Sequence, residues 1–231
     1  MAAKLIAIEG LDGSGKETQT RLLRTALEGR GLKVGSVSFP RYGQPSAAPV
    51  EQYLSGSYGE HAADVNAYAA SSLFAVDRLA SYLGEWRDEF EECDYFIADR
   101  YTTSNAIHQL SKLPECDWES FAGWLFDFEF EKIGLPAPDV IVYLRLDTAL
   151  SQRLLERRYG GDAGKRDVHE RDLAYLERSR LAADWCAERF GWLMIECTIA
   201  GELRERIDVH EQVMTRLGFG NSTETALGGQ I

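Results

Sequence analysis

Short apolar runs alternate with amphipathic stretches along most of this chain, and their order predicts strands alternating with helices. Residues 4–8 form an apolar run of strand length. A helical pattern follows over residues 16–28 and stops at Gly29 and Gly31. Residues 32–39 read as a second strand ended by Pro40, and the polar stretch 41–59 leaves room for one short helix. Asp64 is placed as the N-cap of a long helix through Ser72, Ala75, Leu79 and Leu83. Residues 95–98 read as a strand, and Asp117 as the cap of an aromatic helix ending near Gly134. The most strand-like run is 139–146. A helix over 148–158, a Gly-rich basic loop over 159–167 and a helix over about 169–190 come next. A strand over 192–197 and a helix over 202–217 complete the pattern.

This alternation requires a parallel sheet with helices on both faces, an α/β arrangement of three layers. No internal repeat or linker divides it, so a single domain over 1–217 is expected. Residues 218–231 lack periodicity and are expected to form a flexible tail.

Composition narrows the class. With 45% hydrophobic and 27% charged residues, disordered and collagen-like chains are excluded. No apolar run approaches the roughly 20 residues needed to span a bilayer. The start, MAAKLIAIEG, carries neither a basic segment nor a small-residue cleavage site, so no secretory signal is expected. Cys93, Cys116, Cys186 and Cys197 are scattered without metal-binding spacing, which suits reduced thiols in a cytoplasmic protein. A net charge of −12 disfavours nucleic acid and anionic membranes as partners.

The first strand runs into Gly10-Leu-Asp-Gly-Ser-Gly15-Lys16, and the first helix starts at its end. GxxxxGK in this strand–loop–helix setting is a P-loop. Its backbone N–H groups, contributed around Gly10, Gly13, Ser14 and Gly15, form an anion nest at a helix N-terminus. Lys16 adds a point charge for terminal phosphates. The bland alternative is a Gly-rich turn that happens to contain a lysine. The residue after the lysine departs from the motif: Glu17 stands where a Ser or Thr hydroxyl would reach Mg²⁺. Thr18 is rotated by about 100° along the helix and is no direct substitute. Glu17 either holds the metal through its carboxylate or a water, or lies in solvent.

Further motifs follow in order: Phe39-Pro-Arg-Tyr42, Ser72-Leu-Phe-Ala-Val-Asp-Arg78, Asp99-Arg-Tyr101 with Ser104-Asn105, and Leu135-Pro-Ala-Pro-Asp139 with Leu146-Asp147. Together with residues 8–16 they resemble the thymidylate kinase family, over about residues 4–217. The resemblance implies a P-loop NTPase fold with about five parallel strands and a small lid at about 157–168. It also implies ATP and dTMP as substrates, Mg²⁺ as cofactor and a homodimer packed through helices.

Each position carries a physical reading beside the implied one. Asp99 ends an apolar strand, where a carboxylate can organise Mg²⁺; otherwise it is a cap. Arg100 suits bidentate phosphate binding, the role the resemblance implies; otherwise it is a surface ion pair. Phe74 and Arg78 share a helix face at i, i+4. The resemblance has Phe74 stacking on thymine and Arg78 donating to it, whereas Phe74 alone would be read as core. Asn105 offers both a donor and an acceptor to the base edge. His108 stands where relatives often carry an aromatic ring near the sugar, which bears on deoxyribose selection. Asp12 is a carboxylate beside phosphates; the resemblance implies that it lies near the nucleotide 3′-hydroxyl and the phosphate-binding arginine, where an acceptor also neutralises clustered arginines. Phe39, Arg41 and Tyr42 would approach the acceptor, and Glu9 is read as structural or supporting. The resemblance implies that the residues around 197–201 meet adenine, mostly through backbone.

Arg153, Arg157, Arg158, Lys165 and Arg166 crowd a stretch with Gly160, Gly161 and Gly164. One reading is a solvated helix end. The other is a kinase lid that brings an arginine over the transferred phosphoryl group, with Arg153, Arg157 and Arg158 as candidates. The expected activity is transfer of the ATP γ-phosphoryl to dTMP. Two alternatives are a deoxynucleoside kinase, which needs a carboxylate base where Phe39-Pro-Arg41 stands, and a nucleotide-binding regulatory protein impaired by Glu17.

Overall fold

The computed structural model describes residues 3–160, 169 and 173–220, with the side chains of 158 and 159 left aside. Its five main strands are β1 (Lys4–Glu9), β2 (Val34–Ser38), β3 (Tyr95–Asp99), β4 (Val140–Arg145) and β5 (Leu193–Glu196). They form one parallel sheet in the order β2-β3-β1-β4-β5. Around it lie α1 (Lys16–Glu28), α2 (Ala48–Leu54), α3 (Ala67–Ser81), α4 (Arg87–Glu92), α5 (Thr102–Leu110), α6 (Trp118–Phe126), α7 (Thr148–Tyr159), α8 (Leu173–Phe190) and α9 (Arg206–Arg216).

The central place of β1 explains why it is apolar without interruption: Leu5, Ile6, Ala7 and Ile8 are all buried. Side chains alternate between faces. Ile6 and Ile8 pack with Leu23 and Leu27 of α1 and Val209 and Val213 of α9. Leu5 and Ala7 pack on the other side with Trp86, Phe90 and Phe96. Burying Leu23 and Leu27 contributes roughly 1.5–3 kcal/mol each. A further cluster from α5, α6 and α8, including Ile107, Leu110, Phe121, Leu125 and Ala183, covers the sheet beside β4. Connections leave the carboxyl end of β1 toward β2, while β4 lies on its other side. The crevice at those strand ends is where ligands bind in open α/β sheets.

Helix α1 has the expected bounds, but several other elements differ from the sequence reading. Asn66, not Asp64, caps α3: its Oδ1 accepts from the Ala69 N–H at 2.9 Å. Asp64 closes a preceding 3-10 turn by accepting from the His61 N–H at 2.9 Å. The long helix then opens into a π turn, Tyr82–Trp86, and restarts as α4. Asp117 ends a 3-10 turn ahead of α6 and caps only by position, with helical backbone and no side-chain cap bond. The aromatic helix likewise ends at Phe126 and continues as a π turn, Asp127–Lys132.

Helix α5 has no counterpart in the periodicity. Eight of its residues, Thr102, Thr103 and Asn105 through Leu110, are buried, so no polar face marks it. Glu202 and Leu203 are not helical: they form β7 (Glu202–Leu203), paired antiparallel with β6 (Thr198–Ile199). Ala200 and Gly201, at φ 51° and 82°, make the turn, the positive-φ pair that a two-residue hairpin requires. The four cysteines are free. No helix among the described residues is long and apolar enough to cross a membrane.

Candidate active site

The P-loop takes its shape from its glycines. Gly10 has φ 152°, and a Cβ there would lie 2.7 Å from the Leu144 carbonyl oxygen, so only glycine lets β1 turn beside β4. Gly15, at φ 90°, is the left-handed residue from which α1 starts. The loop lies at one end of an open cleft of 1470 Å³, lined by Asp12, Lys16, Glu17, Phe74, Arg78, Asp99, Arg100, Asn105 and His108 among others. The volume exceeds the roughly 300–1,000 Å³ of a single small-ligand pocket.

Lys16 is buried and its ammonium donates to the carbonyls of Gly10 (3.0 Å) and Leu11 (2.9 Å), with Asp12 at 3.9 Å. Burial, reinforced by Arg100, pushes its pKa down to about 8 against the pull of Asp12, Asp99 and Glu9. The folded value lies below the ordinary one. This group therefore costs stability below about pH 8, and the cost is relieved as pH rises toward 10.5. Triphosphate requires the protonated form. ATP affinity is expected to fall above about pH 8, by up to tenfold per unit, with proton uptake on binding. Calorimetry in buffers of different ionisation enthalpy checks this, and Lys16→Arg should abolish the dependence.

Arg100 follows directly on Asp99 at the end of β3, with φ 64°, a left-handed backbone that costs a non-glycine residue about 1–2 kcal/mol. This conformation turns its guanidinium onto the P-loop. Nη2 donates to Asp12 in a partly buried ion pair, while Nη1 faces the Gly10 carbonyl (3.5 Å), Ser104 Oγ (3.5 Å) and His108 Nε2 (3.3 Å). The surface-pair reading of Arg100 is therefore set aside. Burial would raise the Asp12 pKa, but Arg100 and Lys16 outweigh it and hold the carboxyl well below its usual range.

Glu9, fully buried at the end of β1, accepts from the Tyr101 N–H (2.9 Å) and the hydroxyls of Thr103 (2.6 Å) and Ser104 (2.5 Å). It satisfies the start of α5 from across the sheet, the supporting role expected of it. Burial still raises its pKa over those bonds.

Asn105 and His108 share α5. Because arginine only donates, His108 Nε2 accepts from Arg100 and Nδ1 carries the proton. That Nδ1 is buried without a partner among the described residues, although the residue itself lines the cleft. Burial and Arg100 press the imidazole pKa down to about 3. His169 stacks on the His108 ring at 5.4 Å and also lines the cleft. Phe74 lines the cleft too and meets Tyr53 edge-on at 6.0 Å, so it is neither pure core nor free.

Arg78 departs from the simple picture of a guanidinium reaching for a base. It is buried and held by Glu129, with Nε donating at 2.7 Å and Nη2 at 2.6 Å, and Nη1 faces the Tyr101 carbonyl at 3.5 Å. Glu129 was missed in sequence, although a signal existed. The buried stripe Trp118, Phe121, Leu125 continues to position 129, where a glutamate interrupts an apolar face. Glu85 was missed as well: it pairs with Arg41, whose Nε is buried beside the cleft with no partner among the described residues. Phe39 is mainly core, between Trp86 and Tyr101, though it lines the cleft; Tyr42 is exposed at its rim.

Asp99 lies at the cleft with its pKa raised by burial, and with Glu17 near enough to raise it further. Glu17 is exposed in the first turn of α1, beside half-buried Thr18. Among the described residues no three side chains form a metal cage. One or two carboxylates suffice for Mg²⁺, which keeps its waters and takes the rest of its ligands from phosphates. Asp99 and Glu17 fit that set.

Helix α7 packs on the P-loop, with Ser151 Oγ donating to the Asp12 carbonyl at 2.5 Å and Leu154 against Gly13. Leu154 and Leu155 line the cleft, whereas Arg153 and Arg157 are exposed and outside its lining. The Arg158 side chain and residues 161–168, with Lys165 and Arg166, lie outside the described residues, as does the tail from 221.

Comparison with known proteins agrees with this geometry. The family model "Thymidylate kinase" matches residues 8–203. A thymidylate kinase of Mycobacterium tuberculosis is 37% identical over 196 residues, covering 83% of this chain and 90% of the relative. One from Bifidobacterium longum subsp. infantis is 29% identical over 241 residues, covering 99% of each. The solved structure of thymidylate kinase from Candida albicans superposes with a TM-score of 0.65 at 22% identity, covering 94% of this chain and 90% of that one, and so supports the fold. A P-loop matched in place, a cleft built around its arginine and a family model spanning most of the sheet lead to one conclusion: this chain belongs to the thymidylate kinase family.

Proposed function

We propose that the protein transfers the γ-phosphoryl group of ATP to dTMP, giving ADP and dTDP. The observation that carries this is the position of Arg100: its guanidinium is fixed on the P-loop between Asp12 and the Gly10 carbonyl, beside Lys16. A phosphate donor and a phosphate acceptor can meet there under one cation. The backbone nest from Gly10 to Gly15, with Lys16, holds the ATP phosphates. Arg100 and Arg41 orient the phosphate of dTMP, while Asp12 keeps Arg100 in place. A phosphate oxygen of dTMP attacks the γ-phosphorus and ADP departs with the bond electrons. No general base is needed because the acceptor is already an anion, so catalysis is positioning plus charge neutralisation. When bound, Mg²⁺ neutralises charge on the donor phosphates, and Asp99 and Glu17 are the residues that would hold it.

Phe74, Arg78 and Asn105 form the base end of the cleft, with His108 beside Arg100 on its wall. Arg153, Arg157 and Arg158 remain proposals for the lid charge. The deoxynucleoside kinase reading finds no carboxylate base at Arg41 and no support in the comparisons. We also infer a homodimer: Tyr68, Val76 and Leu83 are exposed along α3 and the turn after it, and Tyr68 packs on Trp124 of the aromatic helix. Light scattering would test it.

The function is tested by ADP release with Mg·ATP against dTMP, dUMP, AMP, CMP and thymidine. Turnover with dTMP well above AMP, CMP and thymidine is expected. Turnover with thymidine but not dTMP would move the protein to the nucleoside kinases, and ATP binding without turnover would favour the regulatory reading.

A further inference from the structure

The two side chains at the base end share one buried anchor. Glu129, fully buried in the turn Asp127–Lys132, accepts four hydrogen bonds: from Arg78 Nε (2.7 Å), Arg78 Nη2 (2.6 Å), Thr102 Oγ1 (2.7 Å) and Asn105 Nδ2 (3.2 Å). Asn105 Nδ2 also donates to the Ser71 carbonyl at 3.3 Å. Both of its acceptors are oxygens with no proton to give. Turning the amide over would set Oδ1 against them, so its orientation is fixed by the network. Oδ1 has no partner among the described residues and is the polar atom this side chain keeps for the cleft it lines. Arg78 is clamped by the same carboxylate through Nε and Nη2, and Nη1 faces the Tyr101 carbonyl at 3.5 Å; the N–H groups of Nη1 and Nη2 not used in these contacts are the donors it keeps for the cleft it lines.

We propose that Glu129 is a positioning residue for base selection: it presents an acceptor from Asn105 and a donor from Arg78, the complement of a pyrimidine with a ring N–H beside a carbonyl. Thymine and uracil carry that pair. Cytosine has a bare ring nitrogen and an amino group in the same places, and would leave both protein groups unpaired. The proposal rests on the dTMP kinase reading and deepens it by naming what sets its choice of base.

The test is Glu129→Gln in the full chain, assayed with dTMP, dUMP and dCMP at varied ATP, alongside thermal melting. Glutamine has one oxygen and cannot accept from both Nε and Nη2 of Arg78, and its amide can donate to Asn105 Oδ1, which lets that amide turn over. The dTMP KM is expected to rise about tenfold or more, with the ATP KM unchanged. The dTMP-to-dCMP ratio of kcat/KM should fall at least about tenfold. A folded variant with unchanged dTMP KM and ratio overturns the proposal, as does an equal loss in kcat and both KM values. If Glu129→Gln does not fold, Thr102→Val removes a single donor to the same carboxylate. It should raise the dTMP KM by about threefold with the ATP KM unmoved, and no change overturns the proposal. A wild-type protein inactive on dTMP overturns the functional reading as well; an active wild type with an unaffected variant overturns only the role of Glu129.

Discussion

Arg100→Ala is expected to lower kcat/KM for dTMP by about 10³ while the protein stays folded. The guanidinium is oriented by Asp12, the Gly10 carbonyl, Ser104 and His108, so it is preorganised where charge is shared between two phosphates. Removing one such donor typically costs about 10²–10³ in rate, and Arg100 serves both binding and transfer. Arg100→Lys should recover little, because an ammonium cannot span those acceptors in one plane. The fold is expected to survive because alanine removes a side chain at the cleft, not one in the sheet core. Asp12 changes with it. Its folded pKa lies below the ordinary value, so the stability it contributes is present above about pH 4 and lost as pH falls. In the variant that acid-sensitive contribution should shrink. Steady-state kinetics, and urea melts at about pH 7 and about pH 2, check both statements, and a kinetic loss below about tenfold would contradict the first.

Arg78→Met is expected to destabilise the protein by about 3–5 kcal/mol, more than an exposed arginine could. Arg78 is 1% exposed and Glu129 0%, so the substitution leaves a carboxylate buried without its cation. The double variant Arg78→Met, Glu129→Leu should regain most of that loss, since a matched apolar pair avoids the desolvation that the ion pair must offset. Neither variant should bind dTMP well. The recovery of stability without recovery of the dTMP KM separates the two roles of this arginine. Urea unfolding with dTMP and ATP saturation curves provides the measurements. If the single variant melts like the wild type, the pair does not matter to the fold.

The π turns at 82–86 and 127–132 bear on both ends of the acceptor site, because they carry Glu85, partner of Arg41, and Glu129, partner of Arg78. Neither turn was visible in the periodicity. A π turn differs from an α-helix by one residue in a cycle, and both lie inside stretches already rich in aromatic residues. Helix α5 was hidden for a related reason. It carries Asn105 and His108, but burial on all sides removes the polar face that periodicity detects.

The sequence alone determined the alternation of strands and helices, the bounds of α1 and the phosphate loop, because these are set within a few neighbouring residues. Gly10, Gly15 and Lys16 need only local backbone geometry to form their nest. It also named Asp12, Phe74, Arg78, Asp99, Arg100 and Asn105, all of which line one cleft. Only the tertiary structure decided what those residues are paired with. Arg78 meets Glu129 across 51 positions of chain, Arg100 meets Asp12 across 88, and Glu9 meets Thr103 across 94. A buried charge takes whichever partner the packing brings within hydrogen-bond reach, and that distance is a property of the folded sheet and its helices, not of spacing along the chain.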